Sequence, residues 1–493
     1  MSQVKHPSLL QALIPVIFLS VLLFISAVVI FEDDSSYGPN QIALLLAAGI
    51  AAIIGIYNGL RWRDIEEGIV HSIAMATGAI LILLAVGALV GTWILAGIVP
   101  TMIYYGLQLL DPSIFYFVTC LICSIVSISI GSSWTTAGTI GVGLMGTALG
   151  LGLSPAITAG AVVSGAYFGD KLSPLSDTTN LAPAVTGTDL FSHIQHMLWT
   201  TIPAWLAALL IFLVIGINQD SAAENNQMAD MLLLMEQNFA LGWYLLIPMF
   251  AVFLMAYKRM PAFPTIFIGA LIGGVFAAVF QTQVIIDFVG DDQFSKPVAI
   301  LAGVWSSLAD GYQAQTGNAQ LDELLSRGGM SSMLNTVWLI LCAMTFGGVM
   351  EKTGLLQRIV EAMLGLARST GSLISTTIVT CISANILAGD QYIAIILPGR
   401  MYKLEFQKRG LDPRNLSRTI EDSATITSPL IPWNTCGAFM ASTLGVATGD
   451  YFLFCFFNLL TPIISIAYGF TGFKILPLAA PTPEPAPTLS AFR

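Results

Sequence analysis

The chain has 493 residues, of which 55% are hydrophobic and only 10% are charged, and its mean hydropathy is +0.80. Soluble proteins carry about 25% charged residues, so this chain cannot cover a water-facing surface and most of it must face a lipid bilayer. Its formal net charge is -10 without any basic stripe, which excludes nucleic acid as a partner.

Apolar runs of about 20 residues, the length that crosses a bilayer, occur along the whole chain. The first is too long for a signal peptide and has no small-residue cleavage site, so we expect it to be a retained span. The ten runs lie near residues 8–31, 40–57, 68–90, 113–131, 192–216, 238–257, 263–281, 333–350, 370–388 and 451–474. The segments 131–150, 155–190, 389–404 and 415–448 are richer in Gly, Pro, Ser and Thr. Such interrupted segments persist at membrane depth only when buried in protein or lining a wet cavity.

The chain resembles itself at an offset near 258 residues. Gly131 falls on Gly389, and after a small adjustment Ser173-Pro174 meets Ser428-Pro429. This agreement predicts two repeats, at 68–216 and 333–474. They are preceded by N-terminal helices over 1–67, joined by linking helices and an extracytoplasmic loop over 217–332, and followed by a disordered Pro-rich tail over 475–493.

The distribution of Lys and Arg predicts how the repeats are oriented. Residues 91–112 and 145–158 contain neither, whereas their counterparts in the second repeat carry Lys352, Arg358 and Arg409, among others. By the positive-inside rule the first set lies outside and the second set lies inside, so the repeats are inverted. Lys258 and Arg259 also lie inside by this rule. We therefore predict an all-α polytopic membrane protein with about 11–14 transmembrane helices and broken helices or hairpins at the midplane. It would lie in the cytoplasmic (inner) membrane with both termini cytoplasmic.

Inverted repeats with interrupted helices at equivalent places are typical of secondary transporters, not enzymes. The break in the first repeat carries Asp170, Lys171 and Asp177, and the break in the second carries Glu421 and Asp422. A charge at membrane depth costs roughly 2.5 to 3.5 kcal/mol, so these five groups are predicted to be ion-binding and proton-coupling residues.

A hard cation such as Na⁺ needs about six oxygens, which unwound carbonyls and polar side chains supply. Pro174 and Pro429 each free a carbonyl one turn earlier, and with Gly131 and Gly389 they mark the predicted helix breaks. On an unbroken helix Asp170 and Asp177 would lie about 10 Å apart, so only the break lets both approach one Na⁺. The predicted supporting oxygens belong to Ser173, Ser176, Thr178, Asn180, Ser428, Asn434, Thr435, Ser133, Thr135 and Asp390.

Part of this pattern also has a purely structural explanation. Ser173 and Ser428 are expected to be helix N-caps, each followed by proline at the first helical position. Ser133, Thr135 and Asp390 either complete the ion shell or cap helices at an interface. His193 and His196 have no metal-ligating company in the sequence and are expected at the membrane interface.

The chain resembles the NhaC family of Na⁺/H⁺ antiporters, within the wider ion-transporter superfamily. The resemblance is carried by GSSWTTAGTIGVGLMGTALGLGLSPAITAGAVVSGAYFGDKLSPLSDTTNLAP, DGYQAQTGNAQLDELLSRGGMSSM and IEDSATITSPLIPWNTCGAFM. It implies exchange of Na⁺, and by extension Li⁺, for H⁺ by alternating access. No cofactor is implied beyond the transported Na⁺ and H⁺, and a homodimer is compatible with it. Some relatives exchange malate for lactate, so the alternative is an Na⁺/H⁺-coupled organic-anion exchanger.

Two alternatives from other classes fit the residues less well. An intramembrane aspartyl protease would need a GxGD signature, but Tyr167 and Phe168 precede Gly169-Asp170. A channel would not need paired carboxylate-bearing breaks, which suit alternating access.

Overall fold

The computed structural model describes residues 5–31, 38–219, 225–290 and 294–478. Across these ranges the chain is helical, and the only extended pairing is an isolated bridge between Leu411 and Pro477. Seven of its helices are long and apolar enough to cross a membrane, or up to nine if each of two bent pairs is one span. The predicted all-α polytopic fold is confirmed.

The described helices are numbered in chain order. The first twelve are α1 (Leu9–Phe24), α2 (Pro39–Tyr57), α3 (Trp62–Leu95), α4 (Ile98–Leu109), α5 (Phe115–Ile130), α6 (Ser133–Thr136), α7 (Val142–Gly150), α8 (Pro155–Leu172), α9 (Asp177–Thr186), α10 (Leu190–Ile217), α11 (Asn225–Asn238) and α12 (Ile247–Tyr257). The others are α13 (Ala262–Phe280), α14 (Thr282–Val289), α15 (Lys296–Asp310), α16 (Ala319–Leu325), α17 (Leu334–Lys352), α18 (Leu355–Leu364), α19 (Thr370–Ala388), α20 (Gln391–Lys408), α21 (Pro413–Ile420), α22 (Thr435–Leu444), α23 (Thr448–Tyr451) and α24 (Phe456–Thr471).

The same succession of turns occurs in both predicted repeats. Gly131 (φ 77°) ends α5 and Gly389 (φ 68°) ends α19, in the left-handed conformation that glycine adopts without strain. Ser132 then caps α6 and Asp390 caps α20, each side chain accepting backbone N–H groups of the new helix. These turns recur as the repeat pattern predicts, while the inverted relationship of the repeats stays a prediction.

Both predicted breaks interrupt helices, but the expected caps are wrong. Ser173 ends α8, and the N–H of Ser176 donates to its carbonyl (3.1 Å), so a turn separates Pro174 from the next helix. Ser176 is the residue that caps α9. In the second break, residues 421–425 form a π-helical turn and Ser428–Leu430 a 3-10 turn, and Asn434 caps α22.

The prediction of a disordered tail is wrong for its first residues, which are hydrogen-bonded to the rest of the protein. The carbonyl of Leu476 accepts from the N–H of Asp412 (3.0 Å), and the N–H of Leu478 donates to the carbonyl of Gly410 (2.7 Å). These bonds tie residues 476–478 to the loop before α21. The other residues of the predicted tail, 479–493, lie outside the described part of the chain.

Helices α5 and α8 pack backbone to backbone through two glycines four residues apart. A Cβ at Gly165 would lie 2.3 Å from the carbonyl oxygen of Cys120, and one at Gly169 would lie 2.4 Å from the backbone nitrogen of Ile128. Small residues at this spacing let transmembrane helices approach closely. This contact fixes the C-terminal end of α8, where Asp170 lies.

We expect Gly165→Ala to destabilise the protein by about 1 to 3 kcal/mol, because the added methyl group meets a main-chain carbonyl that cannot rotate away. The thermal midpoint of the detergent-solubilised protein would measure this. Gly49→Ala in α2 is the matched control, since a Cβ there meets nothing within 4 Å. Equal midpoints for the two variants would contradict the close contact of α5 and α8.

Candidate functional site

A cavity of about 560 Å³ lies where the helix breaks of the two halves meet. Its walls also include apolar residues of α3, such as Met75 and Ile82, and it extends to Arg259, which is exposed. The predicted site residues that line it are Gly131, Ser133, Thr135, Asp170, Pro174, Asp177, Asn180, Asp390 and Thr435.

Asp170 is a buried carboxylate at the end of α8, with 6% of the residue exposed. Its Oδ2 accepts from the hydroxyl of Ser133 (2.6 Å) and from the backbone N–H of Ser133 (3.3 Å). The donors come from the first turn of α6, whose partial positive charge favours a carboxylate. The other oxygen, Oδ1, is buried without a hydrogen-bond partner in the described part of the chain.

The carbonyl of Asp170, which Pro174 is predicted to free, accepts hydrogen bonds from other donors, including the N–H of Ser173 (3.4 Å). Pro174 cannot donate to the carbonyl of Asp170, and the hydroxyl of Thr179 donates to it instead (3.0 Å). The same hydroxyl also lies 3.0 Å from the carbonyl of Lys171. Sequence reasoning missed Thr179, because Ser173 and not Ser176 was expected to cap the helix.

Asp177 lies on the same cavity but is exposed, at the first position of α9. The hydroxyl of Tyr392 donates to its Oδ2, and the N–H of Thr178 donates to its Oδ1 (2.9 Å). Tyr392 belongs to α20 in the other half of the chain, and sequence reasoning did not select it. The break therefore brings Asp170 and Asp177 to one cavity, and a tyrosine joins that cavity across the halves.

Asp390 caps a helix, as one of the two predicted alternatives has it, and it also lines the cavity; its part in an ion shell stays a prediction. Its Oδ1 accepts from the N–H groups of Tyr392 (2.8 Å) and Ile393 (3.2 Å), which caps α20. Its Oδ2 accepts from the hydroxyl of Thr435 (3.4 Å), and both residues line the cavity.

Lys171 and Asp422 form an ion pair outside the cavity lining. Both side chains are fully buried, and the Oδ1 of Asp422 also accepts from the hydroxyl of Thr200 (2.9 Å). Arg418, also fully buried, places its Nε 3.9 Å from the Oδ2 of Asp422. The structure thus divides the predicted charged groups into a cavity set and a buried ion-pair set, and adds Thr200 and Arg418 to the second.

Glu421 is buried next to the ion pair. Its Oε2 accepts from the hydroxyl of Thr425 (2.7 Å), and its Oε1 has no hydrogen-bond partner within the described ranges. His193 and His196, expected at the membrane interface, are instead buried, with 0% and 5% exposed. The Nδ1 of His193 lies 2.8 Å from the hydroxyl of Ser417.

Five predicted supporting residues do not line the cavity, and their polar side chains bond to nearby backbone or to one another. They are Ser173, Ser176, Thr178, Ser428 and Asn434. No three His, Cys, Asp or Glu side chains among the described residues cluster as a metal site. A cation in the cavity would therefore need hydroxyl or amide oxygens beside the carboxylates.

Comparison with known proteins identifies the family. Residues 165–473, which span both breaks, match the Na⁺/H⁺ antiporter family. The chain belongs to this family. The NhaC Na⁺/H⁺ antiporter of Alkalihalophilus pseudofirmus is 39% identical over 435 residues, which cover 88% of this chain and 91% of that protein.

Two further relatives have different names. The chain is 36% identical over 474 residues to the malate-2H⁺/Na⁺-lactate antiporter of Bacillus subtilis, covering 96% of each protein. It is 34% identical over 491 residues to the arginine/ornithine antiporter ArcD of Halobacterium salinarum, covering 99% of this chain and 96% of that protein. The predictions of a multi-pass membrane protein and of a secondary transporter, as distinct from an enzyme, are confirmed.

Proposed function

We propose that this antiporter exchanges Na⁺ for H⁺, and that the cavity holding Asp170 and Asp177 is where the two ions compete. The observation that carries the site assignment is the unpartnered Oδ1 of Asp170, buried on a cavity rich in hydroxyl groups. An unpaired charge is costly to bury, so this carboxylate needs either a proton or a cation. Binding of one ion excludes the other, which is the requirement for exchange.

Several neighbours would supply the other oxygens that Na⁺ requires. Asp177, Ser133 and Thr135 come from the first half of the chain, and Asp390 and Thr435 from the second. These side chains lie at helix ends, where a small movement of one half changes the distances between them. A site shared between two moving halves suits alternating access.

The orientation of the cavity follows from the charge pattern. The cavity reaches Arg259, which the positive-inside rule places on the cytoplasmic side. The protein would then lie in the cytoplasmic membrane with both termini cytoplasmic, and this structure would be a state open to the cytoplasm. Two inverted repeats, at 68–216 and 333–474, remain part of this proposal, as does a homodimer.

Organic-anion exchange is the second candidate, favoured by the similarity to the malate/lactate antiporter. The cavity lining argues against it, because three carboxylates face one exposed Arg259. The buried cation Lys171 is already paired with Asp422 and does not line the cavity.

Proton movement in everted membrane vesicles would decide between the candidates. Vesicles acidified by respiration are given NaCl, LiCl, KCl or sodium malate, and a pH-sensitive dye reports proton release. We expect NaCl alone to dissipate the pH gradient. A response to sodium malate but not to NaCl would assign the protein to organic-anion exchange instead.

We expect Ser133→Ala to raise the KM for Na⁺ about tenfold, because the variant loses a hydrogen bond to the ionised Asp170 that is worth about 1.5 to 3 kcal/mol. Initial rates of dequenching against NaCl concentration would measure it. Ser129→Ala is the control, since that exposed hydroxyl bonds only the carbonyl of Ile125. An unchanged KM would show that Ser133 does not support the ion site.

A further inference from the structure

The polar segment from Gly311 to Met333, here called the crossover segment, connects α15 to α17 and takes no part in the cavity lining. Its sequence reads like a surface loop, yet Leu321, Leu324 and Leu325 in α16 are buried. The described structure inserts this segment between α3 on one side and α7 and α22 on the other.

On the α3 side, the contact is backbone against backbone. The N–H of Gly329 donates to the carbonyl of Gly87 (2.7 Å), and a Cβ at Gly87 would lie 2.4 Å from the carbonyl oxygen of Gly329. A Cβ at Gly328 would lie 2.2 Å from the backbone nitrogen of Gly91. The Cγ of Met333 also packs against α3, 2.8 Å from a Cβ at Gly87. With a main-chain hydrogen bond and backbone in direct contact, the crossover segment and α3 form one rigid unit.

On the side of α7 and α22, the contacts are made by side-chain tips. A Cβ at Gly146 of α7 would lie 3.5 Å from the Cδ1 of Leu324, and one at Gly445 would lie 2.6 Å from the Nη1 of Arg327. The hydroxyl of Ser442 in α22 lies 3.0 Å from the Sδ of Met333. Gly445 is the C-cap of α22, so Arg327 places a cation at the negative end of that helix.

Helices α3 and α22 also line the ion cavity, at a different level along their axes. Ile82 of α3 lines the cavity, and Gly87 lies five residues further along, about 8 Å at 1.5 Å per residue. Thr435 of α22 lines the cavity, and Gly445 lies about 15 Å beyond it. Arg259 lies just before α13, whose later residues Gly269 and Gly273 pack against Leu89 and Trp93 of α3. The crossover segment therefore lies beyond the cavity, at the end away from Arg259.

We propose that the crossover segment is the fixed wall that closes the ion pathway on the far side from Arg259, and that the pathway opens there when α7 and α22 slide away from it. The tight contact with α3 stays intact in this movement, whereas the contacts of Leu324 with α7 and of Arg327 and Met333 with α22 break. Helices α6 and α22 would move together, because Trp134 and Phe439 stack with ring centroids 4.1 Å apart. The inference rests on the proposed exchange, for which this wall would be the outer barrier.

A cross-link across the moving contact tests the proposal. Met333→Cys with Ser442→Cys, joined by a short bifunctional thiol reagent, should lose at least nine tenths of Na⁺/H⁺ exchange, and cleaving a reducible reagent should restore it. The matched control is Thr316→Cys with Asp322→Cys, because the native side chains of these two residues hydrogen-bond within the segment (2.7 Å). Linking this pair should leave exchange intact. Full cross-linking of the first pair without loss of exchange would overturn the proposal, as would failure of that pair to react. Exchange by the unlinked protein reports on the proposed function separately.

A second measurement does not depend on the folding of the variant with Met333→Cys and Ser442→Cys. We expect a membrane-impermeant thiol reagent, added to the predicted outer face, to label Leu324→Cys at least threefold faster when Arg327→Gln is also present, because the cation at the end of α22 is lost. Arg327→Lys keeps the charge and should label at the original rate. Gln315→Cys, at an exposed position of the segment, is the reference for full access. Equal labelling rates in the Gln and Lys variants would contradict the sliding contact.

Discussion

Replacing Asp170 with asparagine is expected to reduce Na⁺-driven proton release in everted vesicles below one tenth of the wild-type rate. The amide keeps an oxygen for the Ser133 hydroxyl but has no charge for Na⁺ and no site for a proton. Because a neutral amide is cheaper to bury than an unpaired carboxylate, the variant should fold at least as well as the wild type. Loss of transport with an unchanged thermal midpoint is therefore the expected result.

The matched control is Asp450→Asn, which removes an exposed carboxylate that does not line the cavity. It should exchange Na⁺ at the wild-type rate. If Asp170→Asn retained full exchange, the ions would have to compete elsewhere, and Asp177 and Asp390 would be the next carboxylates of the cavity to replace.

Breaking the ion pair of Lys171 and Asp422 should give the largest loss of stability. Lys171→Met leaves Asp422 fully buried, with the Thr200 hydroxyl at 2.9 Å and Arg418 no closer than 3.9 Å. Removing one partner of a buried pair typically costs about 3 to 5 kcal/mol, because the remaining charge is uncompensated. The thermal midpoint in detergent should fall well below the wild-type value.

Arg63→Met is the control, since Arg63 and Glu67 form an exposed surface pair that should contribute little. A midpoint of Lys171→Met equal to that of the control would contradict the buried pair. Lys171→Met combined with Asp422→Leu removes both charges of the pair but leaves Arg418 buried without the carboxylate beside it, so it should recover only part of the stability. We expect this double variant to lose exchange, in line with the predicted coupling role; retained exchange would leave the pair a structural role alone.

Part of the cavity lining could be predicted from the sequence, because a proline with carboxylates close to it in the chain, as at Pro174, is a local pattern. Asp170, Asp177 and Asp390 were all selected from the sequence, and all three line one cavity. The sequence did not separate Asp422 from this group, because its neighbour Glu421 and the following hydroxyls look like the first break. Only packing shows that Asp422 lies against Lys171 and Thr200 instead.

Tyr392 and Arg327 show a second reason why sequence reasoning missed some of the side chains that matter. Tyr392 follows an N-cap, and Arg327 sits in a Gly-rich stretch, so neither has a local pattern that marks a functional side chain. Tyr392 matters because its hydroxyl reaches Asp177, 215 positions away along the chain. Arg327 matters because of its contact with the end of α22.

The amino-acid sequence alone determined that the protein lies in a membrane, that its fold is helical and where its helices are interrupted. Each follows from short-range physics: lipid solvates apolar runs, proline lacks the N–H that a helix needs, and glycine adopts left-handed turns. The tertiary structure decided which breaks meet, which carboxylates line the cavity and which are paired. Lys171 and Asp422 are 251 residues apart in the chain, and contacts at that separation depend on how the helices pack together. The local conformational preference of neither residue predicts such contacts.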